Sequence, residues 1–226
     1  MKKIVVFTGA GISAESGLGT FRDSGGLWDN YKIEDVATPE AFKRDPELVL
    51  EFYNIRRRQL LSTSPNPAHY ALNKFQENFN LQIITQNIDD LHERSGSNNV
   101  LHLHGKLMES KSTIDENVYE IDGSELILGD LCSLGGQLRP NVVWFGEAVP
   151  MMDKAIEIVK NADVFIIIGT SLNVYPAASL INYTSNACEK YIVDLNAIDV
   201  IGITSIKEKA SIAVPKLVNQ ILLNSK

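Results

Sequence analysis

The sequence contains little cysteine and no long apolar run. Cys132 and Cys188 are its only cysteines, which excludes a disulfide framework and is typical of a reducing compartment. The apolar run near the N-terminus ends at Thr8, so it is too short for the core of a signal peptide, and no stretch approaches the length of a membrane span. We therefore expect a cytoplasmic protein without a membrane partner.

The sequence also lacks the basic surplus that is typical of nucleic-acid-binding proteins. Its 28 acidic residues outnumber its 21 basic residues, which gives a net charge of −7. We expect no nucleic-acid partner, and we expect a monomer. With 226 residues, of which 44% are hydrophobic and 22% charged, the chain is long enough for one substantial core and one small additional module.

Glycines follow the first apolar strand in a pattern that is typical of nucleotide-binding turns. The run from Ile4 to Phe7 predicts a buried strand, Gly9-Ala10-Gly11 comes next, and Ser13 is predicted to cap a helix. With Ala14 in the last place, the segment fits G-x-G-x-x-G/A, in which the glycines permit close backbone approach to a pyrophosphate. The turn alone fits a dinucleotide site about as well as it fits an ordinary strand-to-helix turn.

The segment after this turn differs from that of an ordinary dehydrogenase. A dehydrogenase would show a second strand that ends in an acidic residue about 20 positions later. Residues 21–28 instead contain two glycines and no apolar run. If a dinucleotide binds, a long loop that includes Trp28 covers it.

Apolar strands alternate with helices along most of the chain. Capping residues before proline at Thr38-Pro39 and Asp45-Pro46 predict two helix starts, the second helix running to about Leu61, and Asn66-Pro67 predicts a third. This alternation indicates an α/β, Rossmann-like fold, in which helices cover both faces of a parallel sheet. The predicted strands are residues 4–7, 81–85, 100–105, 141–145, 164–168 and 191–195, and the later predicted helices are residues 152–160, 177–186 and 214–223.

Residues 106–141 break this alternation. They mix polar residues and glycine with short apolar pieces, so we expect a small, loop-rich module inserted into the main domain. We assign residues 1–29, 66–105 and 142–226 to a nucleotide-binding domain, residues 30–65 to a helical insert and residues 106–141 to the small module.

Polar and turn-forming residues follow several of the predicted strands. The carboxyl ends of parallel strands meet at one edge of the sheet, where open α/β sheets bind their ligands. Ordinary turns explain Gly146 and Gly169 easily, and they explain an uncharged Gln86-Asn87 pair followed by Asp89 less well. The segments at these strand ends are Gly9-Ala10-Gly11, Gln86-Asn87-Ile88-Asp89, His104-Gly105, Gly146-Glu147, Gly169-Thr170-Ser171 and Asn196.

Two histidines of the predicted strand at residues 100–105 are candidates for proton transfer. An imidazole with an ordinary pKa of about 6.5 can accept a proton from a hydroxyl near neutral pH. His102 and His104 lie two residues apart and would share one face of the strand. Periodicity does not decide which of the two is structural.

Together these segments resemble the sirtuins, the NAD-dependent protein deacylases, and most closely the bacterial and mitochondrial-type desuccinylase branch. The resemblance is carried by residues 9–17, by Thr20-Phe21-Arg22 and by later motifs that extend over nearly the whole chain except residues 106–141. It implies that His104, which precedes a glycine, is the general base and that Asn87 is catalytic. The NAD-binding residues that it implies are Gly9, Ala10, Gly11, Ser13, Ala14, Thr20, Phe21, Arg22, Trp28, Gln86, Asn87, Ile88, Asp89, His104, Gly169, Thr170, Ser171, Asn196 and Ala210.

The resemblance also implies how such a site works. The glycine segment and Gly169-Thr170-Ser171 would hold the diphosphate and adenosine side of NAD, Asn196 would meet a ribose hydroxyl, and Gln86, Asn87 and Asp89 would line the nicotinamide pocket. The acyl oxygen of a modified lysine attacks the anomeric carbon as nicotinamide leaves, and the general base deprotonates a ribose hydroxyl. The products are free lysine, nicotinamide and O-acyl-ADP-ribose.

The partner of such an enzyme is an acylated-lysine protein or peptide, which would pair as an added strand between residues 143–147 and 173–175. In the desuccinylase branch, a pair equivalent to Tyr53 and Arg56 binds the carboxylate of a succinyl, malonyl or glutaryl group, and a residue at the place of Ala37 leaves room for it. Two plainer interpretations stay open: Arg56 is a solvated charge, and Trp144 is a core residue. The implied substrate-binding residues are Ala37, Tyr53, Arg56, Val143, Phe145, Gly146, Glu147, Val174 and Tyr175.

The small module departs from the sirtuin pattern, in which two cysteine pairs bind a structural zinc. Residues 106–141 contain Cys132 alone, whereas tetrahedral zinc needs four ligands. We expect no metal site and no structural zinc. The module would then be held by the apolar packing of Ile114, Val118, Ile121, Leu126, Ile127 and Leu128.

Two other functions remain open for a chain with these motifs. An NAD glycohydrolase or ADP-ribosyl transferase would use Asn87, Asp89 and His104 but would need no acyl-binding pair, so Tyr53 and Arg56 count against it. A module that binds NAD or ADP-ribose without turnover would not need His104, so that histidine counts against it.

Overall fold

A six-stranded parallel sheet forms the centre of the main domain. The structure is a computed structural model that describes residues 1–19, 30–170, 175–197 and 199–225. In chain order its strands are β1 (Lys3–Thr8), β2 (Asn80–Thr85), β3 (Val100–His102), β4 (Gly105–Ser112), β5 (Val118–Glu120), β6 (Leu138–Val142), β7 (Val164–Ile168), β8 (Glu189–Val193) and β9 (Thr204–Ile206). The large sheet has the order β3-β2-β1-β7-β8-β9, and all of its strand pairs are parallel.

Helices cover both faces of this sheet. The α-helices are α1 (Gly11–Ala14), α2 (Ile33–Val36), α3 (Pro39–Arg44), α4 (Pro46–Leu61), α5 (Pro67–Asn73), α6 (Leu91–Arg94), α7 (Met152–Lys160) and α8 (Ala210–Leu223), and 3-10 helices lie at Lys74–Glu77 and Ala177–Tyr183. In the part of the chain that the structure describes, no helix combines the length and the apolar character that crossing a membrane requires.

Local capping fixes the starts of α3, α4 and α5. Thr38 Oγ1 and Asp45 Oδ1 each accept a hydrogen bond from the third residue of the helix that follows, at 3.0 Å, and a proline follows each cap. Asn66 and His69 form a capping box at the start of α5. The three predicted helix starts and the predicted end near Leu61 are confirmed.

The core lies on both sides of β1, because successive side chains of a strand point to opposite faces. Ile4 and Val6 pack with α5 and α8, whereas Val5 and Phe7 pack with α7 and the 3-10 helix at Ala177–Tyr183. All four side chains are fully buried. The predicted α/β fold, a parallel sheet covered on both faces, is confirmed.

The small module contains a three-stranded antiparallel sheet, and long loops connect its short strands. Its strand order is β5-β4-β6. The predicted strand at residues 141–145 is wrong, because only its first two residues belong to β6 and because β6 pairs with β4 instead of the large sheet. The predicted apolar packing is also wrong for most residues: Leu126 is buried and Ile121 partly exposed, whereas Ile114, Val118, Ile127 and Leu128 are each about half exposed.

A buried arginine attaches this module to α4. Arg57 is fully buried and donates from Nε to Ser124 O at 2.8 Å, from Nη1 to Leu107 O at 3.3 Å and from Nη2 to Asn54 Oδ1. Asn54 also donates to Leu126 O at 3.2 Å and accepts from Leu126 N at 3.0 Å. Burial lowers the pKa of Arg57 to about 10, so the guanidinium is charged at neutral pH. This Asn54–Arg57 clamp fixes the small module in place by hydrogen bonds, whereas the sequence pattern predicted that apolar packing would hold the module.

Cys132 is not part of a group of metal ligands. Its Sγ accepts hydrogen bonds from Ser112 Oγ and Gly136 N, both at 3.3 Å. Among the described residues, no three histidine, cysteine or acidic side chains lie close enough together to hold a metal ion. The residues of the module do not fit a zinc site, and the absence of zinc stays a prediction.

Several element boundaries differ from the sequence pattern; for example, α8 begins four residues before the predicted Val214, and β8 lies two residues before the predicted 191–195. Ser13 lies inside α1, whose N-cap is Ala10, so the predicted cap is wrong. β3 ends at His102, and His104 therefore follows the strand instead of belonging to it. The predicted helix at residues 177–186 is the shorter 3-10 helix at Ala177–Tyr183.

We expect Arg57→Met to lower the free energy of unfolding by about 3 kcal/mol, because two buried acceptors and one partly buried acceptor lose their donor. Urea denaturation followed by circular dichroism measures this change. Arg58→Met is the matched control, because Arg58 is exposed and forms surface ion pairs with Glu51 and Glu125. Its urea midpoint should stay close to that of the wild type, and equal destabilisation by both variants would contradict the clamp.

Candidate active site

Two glycine turns meet at the carboxyl edge of the large sheet, one after β1 and one after β7. Gly9 N donates to Ile168 O at 3.0 Å, and Gly11 N donates to Gly169 O at 2.8 Å. A Cβ added to Gly11 would lie 2.6 Å from Gly169 Cα, and a Cβ added to Gly169 would lie 2.3 Å from Ile12 N. No side chain fits between the turns, so only glycine allows this approach. Turns without side chains are what a diphosphate requires at such an edge.

Asn87 follows β2 and is tied to the first glycine turn. Its Nδ2 donates to Gly9 O at 3.2 Å and to Ser13 Oγ at 3.1 Å. Ser13 Oγ donates in turn to Asp89 Oδ2 at 3.0 Å. Asn87 and Asp89 are both buried, and burial raises the pKa of Asp89. The structure therefore brings four predicted site residues into one hydrogen-bonded group.

Gln86 links this group to the turn after β7. Its Oε1 accepts a hydrogen bond from Thr170 Oγ1 at 3.0 Å. Its Nε2 is buried and has no hydrogen-bond partner among the described residues. Because an unsatisfied buried amide donor is costly, Gln86 fits a site in which a ligand oxygen completes the bonding.

His104 offers a free basic nitrogen beside Gln86. Its Nδ1 lies 2.9 Å from Gln86 O, and a carbonyl oxygen only accepts, so Nδ1 carries the proton and Nε2 keeps its lone pair. Burial lowers the pKa of His104, so the neutral imidazole prevails at pH 7. In the part of the chain that is described, this is the one hydrogen bond of the His104 ring.

His102 has a different environment, which separates the two candidate histidines. Its Nδ1 lies 3.1 Å from Asn87 O and its Nε2 lies 2.7 Å from Glu93 Oε1. Both neighbours are acceptors, so each ring nitrogen of His102 is used in a hydrogen bond. One of these bonds holds the backbone carbonyl of Asn87. The geometry therefore leaves His104, and not His102, available for proton transfer.

Two further histidines, which no sequence pattern singles out as functional, lie behind Asn87. His92 Nε2 is 3.0 Å from Thr8 Oγ1, which donates to Thr85 Oγ1 at 2.8 Å, and Thr85 Oγ1 accepts from Asn87 N at 3.0 Å. The ring of His69 lies 5.0 Å from that of His92. Both rings are fully buried, and burial lowers the pKa of His69 to about 4 and that of His92 well below its ordinary value. The signal that could have found His69 is its place in the capping box of α5.

Tyr53 and Arg56 lie together on α4. Tyr53 is 3% exposed, and Cζ of Arg56 lies 5.8 Å from the centre of its ring. Burial lowers the pKa of the partly buried Arg56, and the charges of Tyr53 and Asp89 oppose that effect. The guanidinium therefore lies near the Tyr53 ring and within electrostatic reach of Asp89, and this partly buried environment differs from that of an ordinary solvated charge.

Residues 143–147 pass between His104 and Ala37. Val143 N donates to His104 O at 2.9 Å, and Phe145 N donates to Ala37 O at 3.0 Å. Ala37 is buried, whereas Phe145 is 46% exposed and Gly146 has a φ of +92°. The Phe145 side chain is therefore accessible beside the small residue Ala37.

Trp144 and Glu147 of this segment are engaged inside the protein. Trp144 is 3% exposed, which confirms its interpretation as a core residue. The Glu147 carboxylate is bonded to Arg139 at 2.6 and 3.0 Å and to Trp144 N at 2.7 Å. The Glu147 carboxylate is therefore engaged by groups of the protein itself.

The remaining predicted residues lie around the same edge or outside the described residues. Asn196 is exposed and follows β8, which neighbours β7, and Ile88 packs against the core cluster that contains Tyr53 and Trp144. Ala210 begins α8, and Tyr175 is 73% exposed. The predicted residues Thr20, Phe21, Arg22, Trp28, Ser171 and Val174 lie outside the residues that the structure describes.

The fold and the site together define a nucleotide-binding α/β protein. The chain runs outward from β1 to β2 and β3 on one side and returns to β7 on the other, so the topological switch point lies between β1 and β7, where the two glycine turns meet. The Sir2 family matches residues 9–176. The chain belongs to the Sir2 family.

The chain is similar to proteins named NAD-dependent protein deacylase and to solved structures of Sir2 homologues. It is 53% identical over 205 residues to an NAD-dependent protein deacylase of Bacteroides thetaiotaomicron, with 88% of each chain covered. It is 46% identical over 232 residues to an NAD-dependent protein deacylase of Vibrio vulnificus, with 98% of this chain and 94% of that protein covered. A mutant Sir2 homologue in complex with ADP-ribose superposes with a TM-score of 0.91 at 40% identity and covers 100% of this chain and 94% of that one. A complex of a Sir2 homologue with NAD also gives 0.91, at 38% identity and with 100% and 91% covered.

The buried histidines predict how stability depends on pH. The folded pKa of His69, about 4, lies below the unfolded value of about 6.5, so the unfolded chain binds the proton first as pH falls. Its contribution is fully present above pH 6.5 and is lost toward pH 4. Between pH 7 and pH 5, the wild type should lose about 2 kcal/mol more unfolding free energy than His69→Gln, which does not titrate. Urea denaturation at both pH values measures the difference, and parallel losses in the two proteins would contradict the assignment.

Proposed function

We propose that the protein is an NAD-dependent protein lysine deacylase that prefers succinyl and malonyl groups and takes acetyl-lysine as a second substrate. Its partners would be acylated-lysine proteins or peptides. One observation carries the proposal: the glycine turns, the Asn87 group and the free base His104 lie at one sheet edge, and Arg56, next to Tyr53, interacts electrostatically with Asp89 of that group.

The glycine turns and Gln86 would hold NAD at the switch point. When bound, NAD supplies the anomeric carbon that the acyl oxygen of the substrate attacks as nicotinamide leaves. The turns present backbone without side chains to the diphosphate, and the unpaired Gln86 Nε2 offers a donor to a ligand oxygen. The Asn87 amide, fixed by Gly9 and Ser13, would orient the nicotinamide side of the pocket.

His104 would act as the general base. Its Nε2 lone pair can take a proton from a ribose hydroxyl, while the bond from Nδ1 to Gln86 O stabilises the imidazolium that results. No charged nucleophile of the protein is required. The chain's work is positioning of the reacting groups and exclusion of water.

Tyr53 and Arg56 would bind the carboxylate at the far end of the acyl group. A guanidinium and a phenol hydroxyl in a partly buried site offer charge-assisted hydrogen bonds that an acetyl group cannot use. The small buried side chain of Ala37 leaves space for the longer acyl chain.

Incubation with NAD and a succinylated peptide, followed by mass spectrometry, tests the proposal. Loss of the succinyl mass with formation of O-succinyl-ADP-ribose is the expected result. Consumption of NAD without a change in the peptide would indicate an NAD glycohydrolase, and binding without reaction would indicate a binding module.

His104 should govern the acid limb of the pH profile. Because burial lowers the pKa of His104 below its ordinary value of about 6.5, the base becomes protonated only at more acidic pH, and we expect the fall in kcat there. The rate should be at its plateau at pH 7. His104→Asn should reduce kcat by about 10²-fold or more while NAD binding, measured by calorimetry, persists. A variant that keeps the wild-type rate and acid limb would exclude His104 as the base.

Arg56→Met should change the choice between acyl groups. We expect the ratio of kcat/KM for succinyl-lysine over acetyl-lysine to fall roughly 10²-fold, because charge-assisted hydrogen bonds to the carboxylate are lost. Competition between the two peptides, read by mass spectrometry, gives this ratio directly. Arg58→Met removes the same charge from the exposed face of α4 and should leave the ratio unchanged. Equal losses on both substrates in Arg56→Met would remove the idea that Arg56 binds the carboxylate.

A further inference from the structure

A buried hydrogen bond joins Trp144 to the tyrosine of the acyl-binding pair. Trp144 Nε1 lies 3.0 Å from the hydroxyl oxygen of Tyr53, and both side chains are 3% exposed. Trp144 stands between Val143 and Phe145, which the family resemblance implies as peptide-binding residues. It therefore connects the segment beside the peptide with the end of the acyl site.

The direction of this hydrogen bond is fixed by chemistry. An indole N–H only donates, so the Tyr53 oxygen must accept from Trp144. The single hydroxyl proton of Tyr53 is then directed away from Trp144 and can be donated elsewhere. Among the described residues, no acceptor takes that proton. A carboxylate, which only accepts, is a matching partner for it.

The protonation of Tyr53 agrees with this direction. Burial raises the pKa of Tyr53, and this effect outweighs the nearby charge of Arg56, which lowers it. The hydroxyl is therefore neutral and carries its proton at physiological pH. Arg56, with Cζ 5.8 Å from the centre of the Tyr53 ring, supplies a positive charge near that ring.

Trp144 is itself held by its neighbours. The Arg139 guanidinium lies over its ring, with Cζ 3.4 Å from the centre, and the ring of Phe42 lies 5.3 Å away. Glu147 fixes Arg139 through two hydrogen bonds and also accepts the backbone N–H of Trp144 at 2.7 Å. A donor that is held so tightly determines where the Tyr53 hydroxyl proton points.

We propose that Trp144 is a specificity-determining positioning residue, whose indole N–H orients the Tyr53 hydroxyl as a donor to the carboxylate of an acidic acyl group. The assignment rests on the proposed preference for acidic acyl groups. It adds to that proposal a residue outside the Tyr53 and Arg56 pair, which acts through Tyr53 and does not touch the substrate carboxylate.

The test compares succinyl-lysine and butyryl-lysine peptides, which have acyl chains of equal length and differ in the terminal carboxylate. Trp144→Phe keeps an aromatic ring under Arg139 and removes only the donor. We expect its succinyl-to-butyryl ratio of kcat/KM to fall about fivefold, through a higher KM for the succinyl peptide. Tyr53→Phe should lower the ratio at least as much, and Tyr53→Phe added to Trp144→Phe should lower it by less than about twofold more, because the two residues act through one hydrogen bond.

The outcomes separate this inference from the proposed function. If the wild type does not favour succinyl over butyryl, the preference for acidic groups fails and the inference fails with it. If the wild type shows the preference and Trp144→Phe keeps it, the inference alone is overturned. A loss of equal size on both peptides would show a packing role for Trp144 and would also overturn the inference.

A second measurement covers the case in which Trp144→Phe does not fold. Nuclear magnetic resonance of the wild type reports the indole N–H of Trp144 directly. Addition of the succinyl peptide, without NAD, should shift this resonance, because Tyr53 becomes a better acceptor once it donates to the carboxylate. The butyryl peptide should leave the resonance in place, and identical shifts with both peptides would overturn the inference.

Discussion

The close approach of two backbones, at Gly11 and Gly169, fixes the geometry on which the site depends. The hydrogen bond from Gly11 N to Gly169 O, at 2.8 Å, spans a gap that no Cβ can enter. It sets the distance between the ends of β1 and β7. Asn87 is bonded to Gly9 O, so the position of its amide follows from the same contact. A larger residue at either glycine would move several site groups at once.

Polar side chains then hold the second strand end against this contact. Asn87 is bound at its backbone N–H by Thr85, at its backbone carbonyl by His102 and at its side chain by Ser13. Buried networks of this kind are costly when they are incomplete and specific when every member is satisfied. The network leaves few groups unsatisfied, among them Gln86 Nε2 on the ligand side and one nitrogen each of His69 and His92 behind it.

Much of the fold and part of the site could be predicted from the sequence because the signals are local. The buried run of β1, the prolines and caps of α3 to α5, and the polar residues after β2 and β7 all act over a few positions. β9 is short, its residues Thr204–Ile206 are at least partly exposed, and it therefore carries no apolar run that would reveal it.

The rest depends on contacts between distant segments. Arg56, Arg57 and Arg58 are adjacent and identical, yet one lies near the Tyr53 ring, one is buried under the small module and one lies at the surface. Helical periodicity alone does not distinguish them, because the partners of Arg57 at Leu107 and Ser124 are far along the chain. The small sheet was not predicted for a similar reason. Backbone pairing and the clamp hold it together, whereas apolar residues such as Ile114 and Ile127 are exposed to solvent.

The Asn54–Arg57 clamp also determines how the attachment of the small module responds to chelators, oxidants and denaturants. A chelator can remove a metal ion that cysteines hold, and an oxidant can modify those cysteines. A guanidinium and an amide are open to neither reaction. The hydrogen bonds of the clamp itself therefore need neither a metal ion nor a thiol. Peroxide exposure or metal starvation would leave this junction intact, and strong denaturants that compete for hydrogen bonds are the agents expected to open it.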